Sequence, residues 1–154
     1  MTVATIAIEP GDPLGPEAAV LLSEHHALMQ SLFPPEDNHY LEAEALAAPE
    51  VRFFLARLDR RAVGCAALAV RDGYGEVKSM FVSPAARGAG AGRALLARIE
   101  AEARRAGLAH LRLETGDVLV EAQRLYAAAG FTGCGAFGPY PEGTTSRFME
   151  KRLA

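Results

Sequence analysis

Val-Lys-Ser-Met-Phe-Val-Ser-Pro-Ala-Ala-Arg-Gly-Ala-Gly-Ala-Gly-Arg-Ala-Leu-Leu, residues 77–96, is the stretch on which the reading of the fold turns. A short apolar strand ends at Ser83-Pro84, a turn carries Arg87, and Gly88, Gly90 and Gly92 open a helix. The first amide N–H groups of a helix lack intrahelical partners, and the helix dipole adds partial positive charge at that end. Glycines without Cβ atoms let an anion approach such a backbone closely. Arg87 and Arg93 flank the turn. Together these features predict a site for a pyrophosphate.

Two nucleotide motifs compete for these glycines, and both fit badly. A phosphate-binding P-loop requires Lys followed by Ser or Thr after its last glycine, and Arg93-Ala94 stand there instead. The dinucleotide fingerprint requires G-x-G-x-x-G directly after a strand, with an acidic residue roughly 20 positions further on. Glu114, closing the next apolar strand, keeps that rival in view. The spacing here is G-x-G-x-G, however, and residues 83–87 intervene between the strand and the first glycine.

The chain has 154 residues, half of them hydrophobic, which predicts one globular domain over residues 1–154. Its net charge of −3 and its lack of a basic run argue against nucleic acid as the main partner. No apolar stretch approaches the length of a membrane span, and no basic segment leads into an apolar one at the N-terminus. Cys65 lies in an apolar run and Cys134 in a glycine-rich turn, without metal-type or disulfide-type spacing. A reducing cytoplasm is the expected compartment. Four scattered histidines form no ligand cluster, so no metal centre is expected.

Thr5–Glu9 reads as a first strand, Glu17–Gln30 as a helix with Pro16 at its first position, and residues 36–48 as a second short helix. Val51–Leu58 and Ala62–Val70 read as a hairpin turning at Asp59-Arg60-Arg61, with Gly75–Val82 as the next strand. Consecutive strands with tight turns imply antiparallel pairing, which weakens the dinucleotide-fold rival. Leu95, Leu96, Ile99, Ala103 and Ala106 recur at helical spacing, and Gly107 suits the helix C-terminus. Leu108–Thr115 is a strand and Leu119–Ala129 a helix that Gly130 stops; Phe131 begins a strand. Gly133–Gly143 is a loop and Thr145–Arg152 a last strand.

With the glycine turn, the preceding strand and Leu125-Tyr126-Ala-Ala-Ala-Gly130-Phe131 read together, the chain resembles the GNAT N-acetyltransferase superfamily over roughly residues 50–150. The resemblance implies an α/β fold of α+β character: a mixed, mostly antiparallel sheet of about six or seven strands flanked by about four helices. It also implies that Arg87, Gly88, Ala89, Gly90, Ala91, Gly92 and Arg93 hold the pyrophosphate of acetyl-CoA. Met80, Phe81 and Val82 would then pair through their backbone with the pantetheine arm, as an added strand does. The Met80 N–H would donate to the thioester oxygen, a contribution of about 3–4 kcal/mol to a developing oxyanion.

Transfer requires that an ammonium lose a proton before it attacks, so a positioned carboxylate or an ordered water has to accept it. Glu76 matches the general-base position of many superfamily members. Alternation puts Glu76, Lys78 and Met80 on one face of the strand, unless a bulge shifts the register. The plain alternative is a solvated strand-end carboxylate. Tyr126 matches the tyrosine that protonates the departing CoA thiolate; otherwise it is an amphipathic core residue. Leu119 stands where the family usually has asparagine, three residues before Ala122. Glu114 can pair with a substrate ammonium or serve as an alternative base. His39, Tyr40 and Glu42 lie in the variable region that often lines the acceptor pocket, and Tyr140 in Gly-Pro-Tyr-Pro can close it from the other side. Arg104-Arg105 suits a solvated helix end.

These residues imply transfer of acetyl from acetyl-CoA, as cosubstrate, to the primary amine of a small molecule, by direct attack in a ternary complex. Neither cysteine stands where a covalent acetyl carrier would. A protein lysine or N-terminal acetyltransferase, a non-catalytic acyl-CoA-binding module and a nicotinamide oxidoreductase are the alternatives. The acceptor's identity, the acyl chain and the choice between monomer and homodimer stay open.

Overall fold

Alternation along residues 51–58 shows how one strand serves two cores. Phe53 and Leu55 face one side of the sheet, and Phe54 and Ala56 the other. The structure, a computed structural model, describes residues 5–142 and 145–153. Among these, seven strands form one sheet: β1 (Ile6–Pro10), β2 (Val51–Leu58), β3 (Arg61–Val70), β4 (Gly75–Val82), β5 (His110–Gly116), β6 (Thr132–Cys134) and β7 (Ser146–Arg152). Four α-helices accompany them: α1 (Pro16–Leu32), α2 (Ala43–Leu46), α3 (Ala91–Arg105) and α4 (Val120–Ala128). The sheet order is β1-β2-β3-β4-β5-β7-β6, antiparallel throughout except between β4 and β5. No described helix is long and apolar enough to cross a membrane.

The expected elements are present, with local revisions. Residues 36–48 form no continuous helix but a 3-10 turn at Pro35–Asp37 and the four-residue α2. The hairpin turns on Asp59 and Arg60 alone, at φ of 49° and 74°, and Arg61 already pairs in β3. Such a two-residue turn with positive φ matches the twist of its flanking strands. Gly143, the expected end of the loop before β7, lies outside the described residues.

α3 and α4 cover one face of the sheet. There Leu95, Leu96, Ile99 and Ala103 pack on Phe54, Ala66, Leu68, Val77, Leu111 and Leu113. α1 and α2 cover the other, where Leu21, Leu22 and Leu46 pack on Phe53, Leu55, Cys65, Ala67 and Phe81. Each fully buried leucine contributes about 1.5–3 kcal/mol.

The sheet forks in the middle. β4 and β5 pair only at Gly75–Leu111 and Glu76–Arg112, after which no described pairing joins them. β5 then follows β7, pairing from His110–Arg152 to Gly116–Ser146. β4 stays with β3 but carries a bulge: Lys78 opposes Ala67 and Phe81 opposes Cys65, so Ser79 and Met80 together face Ala66. Ser79 has φ of 54°, unusual for a residue with a side chain. A bulge bends its strand and increases the local twist, which turns the end of β4 away from β5.

Candidate active site

The bulge overturns the simple alternation read from residues 76–80. Glu76 and Lys78 share the α1 face, but Met80 turns with Val82 towards α3 and α4, while Phe81 takes the α1 face. The extra residue at Ser79–Met80 reverses every side chain that follows it.

Beyond the fork the chain makes a 3-10 turn, Pro84–Ala86, and then the glycines. Gly88 and Gly90 have φ of 88° and 89°, in the left-handed region, and a Cβ on either would meet nothing within 4 Å. Their need for glycine is therefore conformational, and the space above them is open. Gly90 caps α3 with no side-chain hydrogen bond, so no side chain occupies the helix's first amide groups. The Arg87 guanidinium is steadied by the Val82 carbonyl at 3.3 Å, and Arg87 and Arg93 are both exposed. A bare backbone cradle at a dipole's positive end, between two arginines, fits a diphosphate.

A cleft of about 860 Å³ opens from this turn into the fork. It is bordered by Lys78–Val82 of β4, Glu114–Gly116 of β5, Leu119 to Tyr126 at α4, and the C-terminal turns of α1. Tyr126 is buried, with its ring edge-on to Phe131 at 6.0 Å. Burial, and after it the Glu114 carboxylate, pushes the Tyr126 phenol well above its usual range, so it keeps its proton at neutral pH. Glu114 is half-buried and accepts a hydrogen bond from the Ser146 hydroxyl at 2.7 Å. Leu119, at the start of α4, presents no polar group to the cleft.

Glu76 is 2% exposed and does not border the cleft. Its carboxylate accepts from Arg71 Nε at 3.2 Å and from the Tyr140 hydroxyl in a short hydrogen bond, and pairs with Lys78 Nζ at 3.6 Å. Lys78 Nζ in turn donates to the Tyr140 hydroxyl at 2.7 Å and to the His39 carbonyl at 2.8 Å. The network thus brings together Glu76, His39 and Tyr140, which lie far apart in the chain. Tyr140 approaches from the loop before β7, edge-on to His39 at 5.3 Å, but is not itself a cleft residue. Burial lowers the Lys78 pKa and the Glu76 carboxylate opposes that shift; burial also raises the Tyr140 phenol.

Sequence reasoning missed Lys78 as the tie between two loops, and it missed the α1 wall. His25, Leu28, Met29, Leu32 and Phe33 all border the cleft. The spacing of Glu76 and Lys78 on one strand face was the available sign of the first. Nothing local marks the second, because the apolar residues of α1 divide between core and cleft.

A profile of the acetyltransferase (GNAT) family matches residues 19–131. An IAA acetyltransferase of Azospirillum brasilense is 47% identical over 155 aligned residues, covering 99% of this chain and all of that one. An N-acetyltransferase of Bacillus subtilis, itself uncharacterised, is 36% identical over 95% of this chain and 99% of its own length. The crystal structure of a Klebsiella pneumoniae protein assigned to the acyl-CoA N-acyltransferases superposes with a TM-score of 0.82 at 33% identity, covering 97% of this chain and 99% of that one. The forked sheet, the glycine cradle and these relatives agree: the chain belongs to the acetyltransferase (GNAT) family, enzymes that use acetyl-CoA as acetyl donor.

Proposed function

We propose that this acyltransferase acetylates the primary amine of a small molecule by direct attack within a ternary complex. The observation that carries the reading is the fork between β4 and β5, with the diphosphate cradle at one end and Glu114 beside a recess under α1 at the other. When bound, acetyl-CoA supplies an activated thioester. The backbone from Arg87 to Arg93 would hold its diphosphate, and Met80, Phe81 and Val82 would hold the arm, with the Met80 N–H as oxyanion donor.

Glu114 borders the cleft and so can receive the acceptor's ammonium. Glu76 does not, so as a base it takes the proton through Lys78, which borders the cleft and pairs with it at 3.6 Å. Tyr126 holds a proton at its hydroxyl beside the cleft, available to a leaving thiolate. Direct attack is supported by the cysteines: burial pushes the Cys65 thiol up to about 12, and Cys134 is also raised. Neither is a ready thiolate nucleophile. Both are free thiols, in keeping with a cytoplasmic setting.

The test is free-thiol release from acetyl-CoA with a panel of small amines and peptides. Glu114→Gln is expected to raise KM for the amine about tenfold. Glu76→Gln is expected to lower kcat by about 10²-fold and to leave acetyl-CoA binding intact. Turnover of peptides alone would move the reading to a protein acetyltransferase. Binding of acetyl-CoA without thiol release from any amine would leave only a binding module.

A further inference from the structure

We infer that the acceptor is a primary amine with a hydrophobic, aromatic body and one cationic end. The inference rests on the N-acetyltransferase reading and adds the chemistry of the acceptor. Alternation along β5 sets the geometry. Leu113 packs into the core under α3 and α4, so Glu114 and Gly116 turn to the α1 face. Phe33, just past α1, lies against Gly116 so closely that a Cβ there would stand 2.1 Å from the ring. The Glu114 carboxylate and the Phe33 ring therefore share one side of the cleft.

Leu28, Met29 and Leu32 continue that wall along α1, and Phe81 of β4 borders it. Leu32 is 44% exposed, a large apolar side chain kept at the cleft without a place in either core. The cations nearby do not offer themselves to a ligand. Lys78 has the His39 carbonyl, the Tyr140 hydroxyl and Glu76 around its ammonium, at 2.8, 2.7 and 3.6 Å. His25 is neutral at pH 7, because burial, reinforced by His26 and Lys78, lowers its pKa to about 4.

Of the carboxylates bordering the cleft, Asp37 and Glu121 sit on the 3-10 turn and on α4, and Glu114 alone sits on β5 beside the fork. A polyamine or an aminosugar would set further ammonium or hydroxyl groups against Leu28, Met29, Leu32 and Phe33, where the polar groups of that side are confined to residues 37–40 past α1. An arylalkyl chain buries its body there while its one ammonium meets Glu114.

Two readouts test this: thiol release with each amine, and calorimetric binding of each amine to the protein loaded with CoA. From propylamine to hexylamine, kcat/KM is expected to rise about fourfold per methylene. Phenethylamine and tryptamine are expected to exceed spermidine, kanamycin and a peptide N-terminus at least tenfold. Leu32→Gln changes an exposed position and adds no charge, so folding should survive; it is expected to weaken phenethylamine binding about tenfold with CoA affinity unchanged. A preference for spermidine, kanamycin or the peptide, or a Leu32→Gln protein that binds phenethylamine normally, overturns the hydrophobic acceptor while leaving the transferase reading in place. Absence of both thiol release and binding with every amine overturns the two together.

Discussion

Burial keeps the Tyr126 proton in place. Because the phenol's pKa is raised, the hydroxyl stays protonated as pH rises through 10. Tyr126→Phe is expected to lower kcat by about 10²-fold with acetyl-CoA affinity unchanged, and the wild type to show no loss of turnover from Tyr126 ionisation below pH 10. Steady-state rates across pH check both; unchanged kcat in the variant removes Tyr126 as proton donor. His25 offers a stability test. Its folded pKa of about 4 lies below the ordinary 6.5, so acidification protonates the unfolded chain first and favours unfolding. Between pH 7 and 4.5 this should cost about 2 kcal/mol, and His25→Gln should remove that part of the loss, measured by urea unfolding at the two pH values. Equal losses in both proteins would mean that His25 is not buried neutral. That Tyr126 and Glu114 border the cleft follows the expectation drawn from the Leu125–Phe131 motif and from the strand end. His25 was not legible, since the Phe81 ring beside it and the Lys78 charge that helps to lower its pKa are distant in the chain.

The turn between β4 and α3 is an element whose sequence and conformation coincide. At Gly90 a Cβ meets no neighbour, so Gly90→Ala has only the left-handed backbone to overcome, at about 1 kcal/mol. A loss of about 2–4 °C in Tm is expected. Acetyl-CoA binding should weaken about tenfold if this backbone grips the diphosphate; an unchanged Kd by calorimetry would show that it does not. β4 itself was only half legible. Its length and apolar character are local, but its bulge falls at Ser79, where no glycine signals a positive φ. The register with β3 decides it. Similarly, residues 36–48 carry helix-forming alanines and leucines, yet only Ala43–Leu46 completes an α-turn. The rest is held open as a loop whose His39 carbonyl is tied to Lys78.

Across the whole molecule, the cleft exists because β5 is paired along one edge with β7 over its whole length, while on its other edge β4 pairs only at the start and then splays away. β7 pairs along the full length of β5, while β4 touches it at two positions. The cleft is the space this splaying opens, and both helical layers reach it, α3 and α4 from one face of the sheet and α1 from the other. Strands, helices and the glycine turn before α3 could be read in the chain, because glycine, proline and apolar periodicity act over a few neighbouring residues. The facing of Met80, the meeting of Glu76 with Lys78 and Tyr140, and the apolar wall against Glu114 could not. They join residues as distant as Glu76 and Tyr140, or Phe33 and Gly116, and such contacts exist only once the seven strands have taken their order.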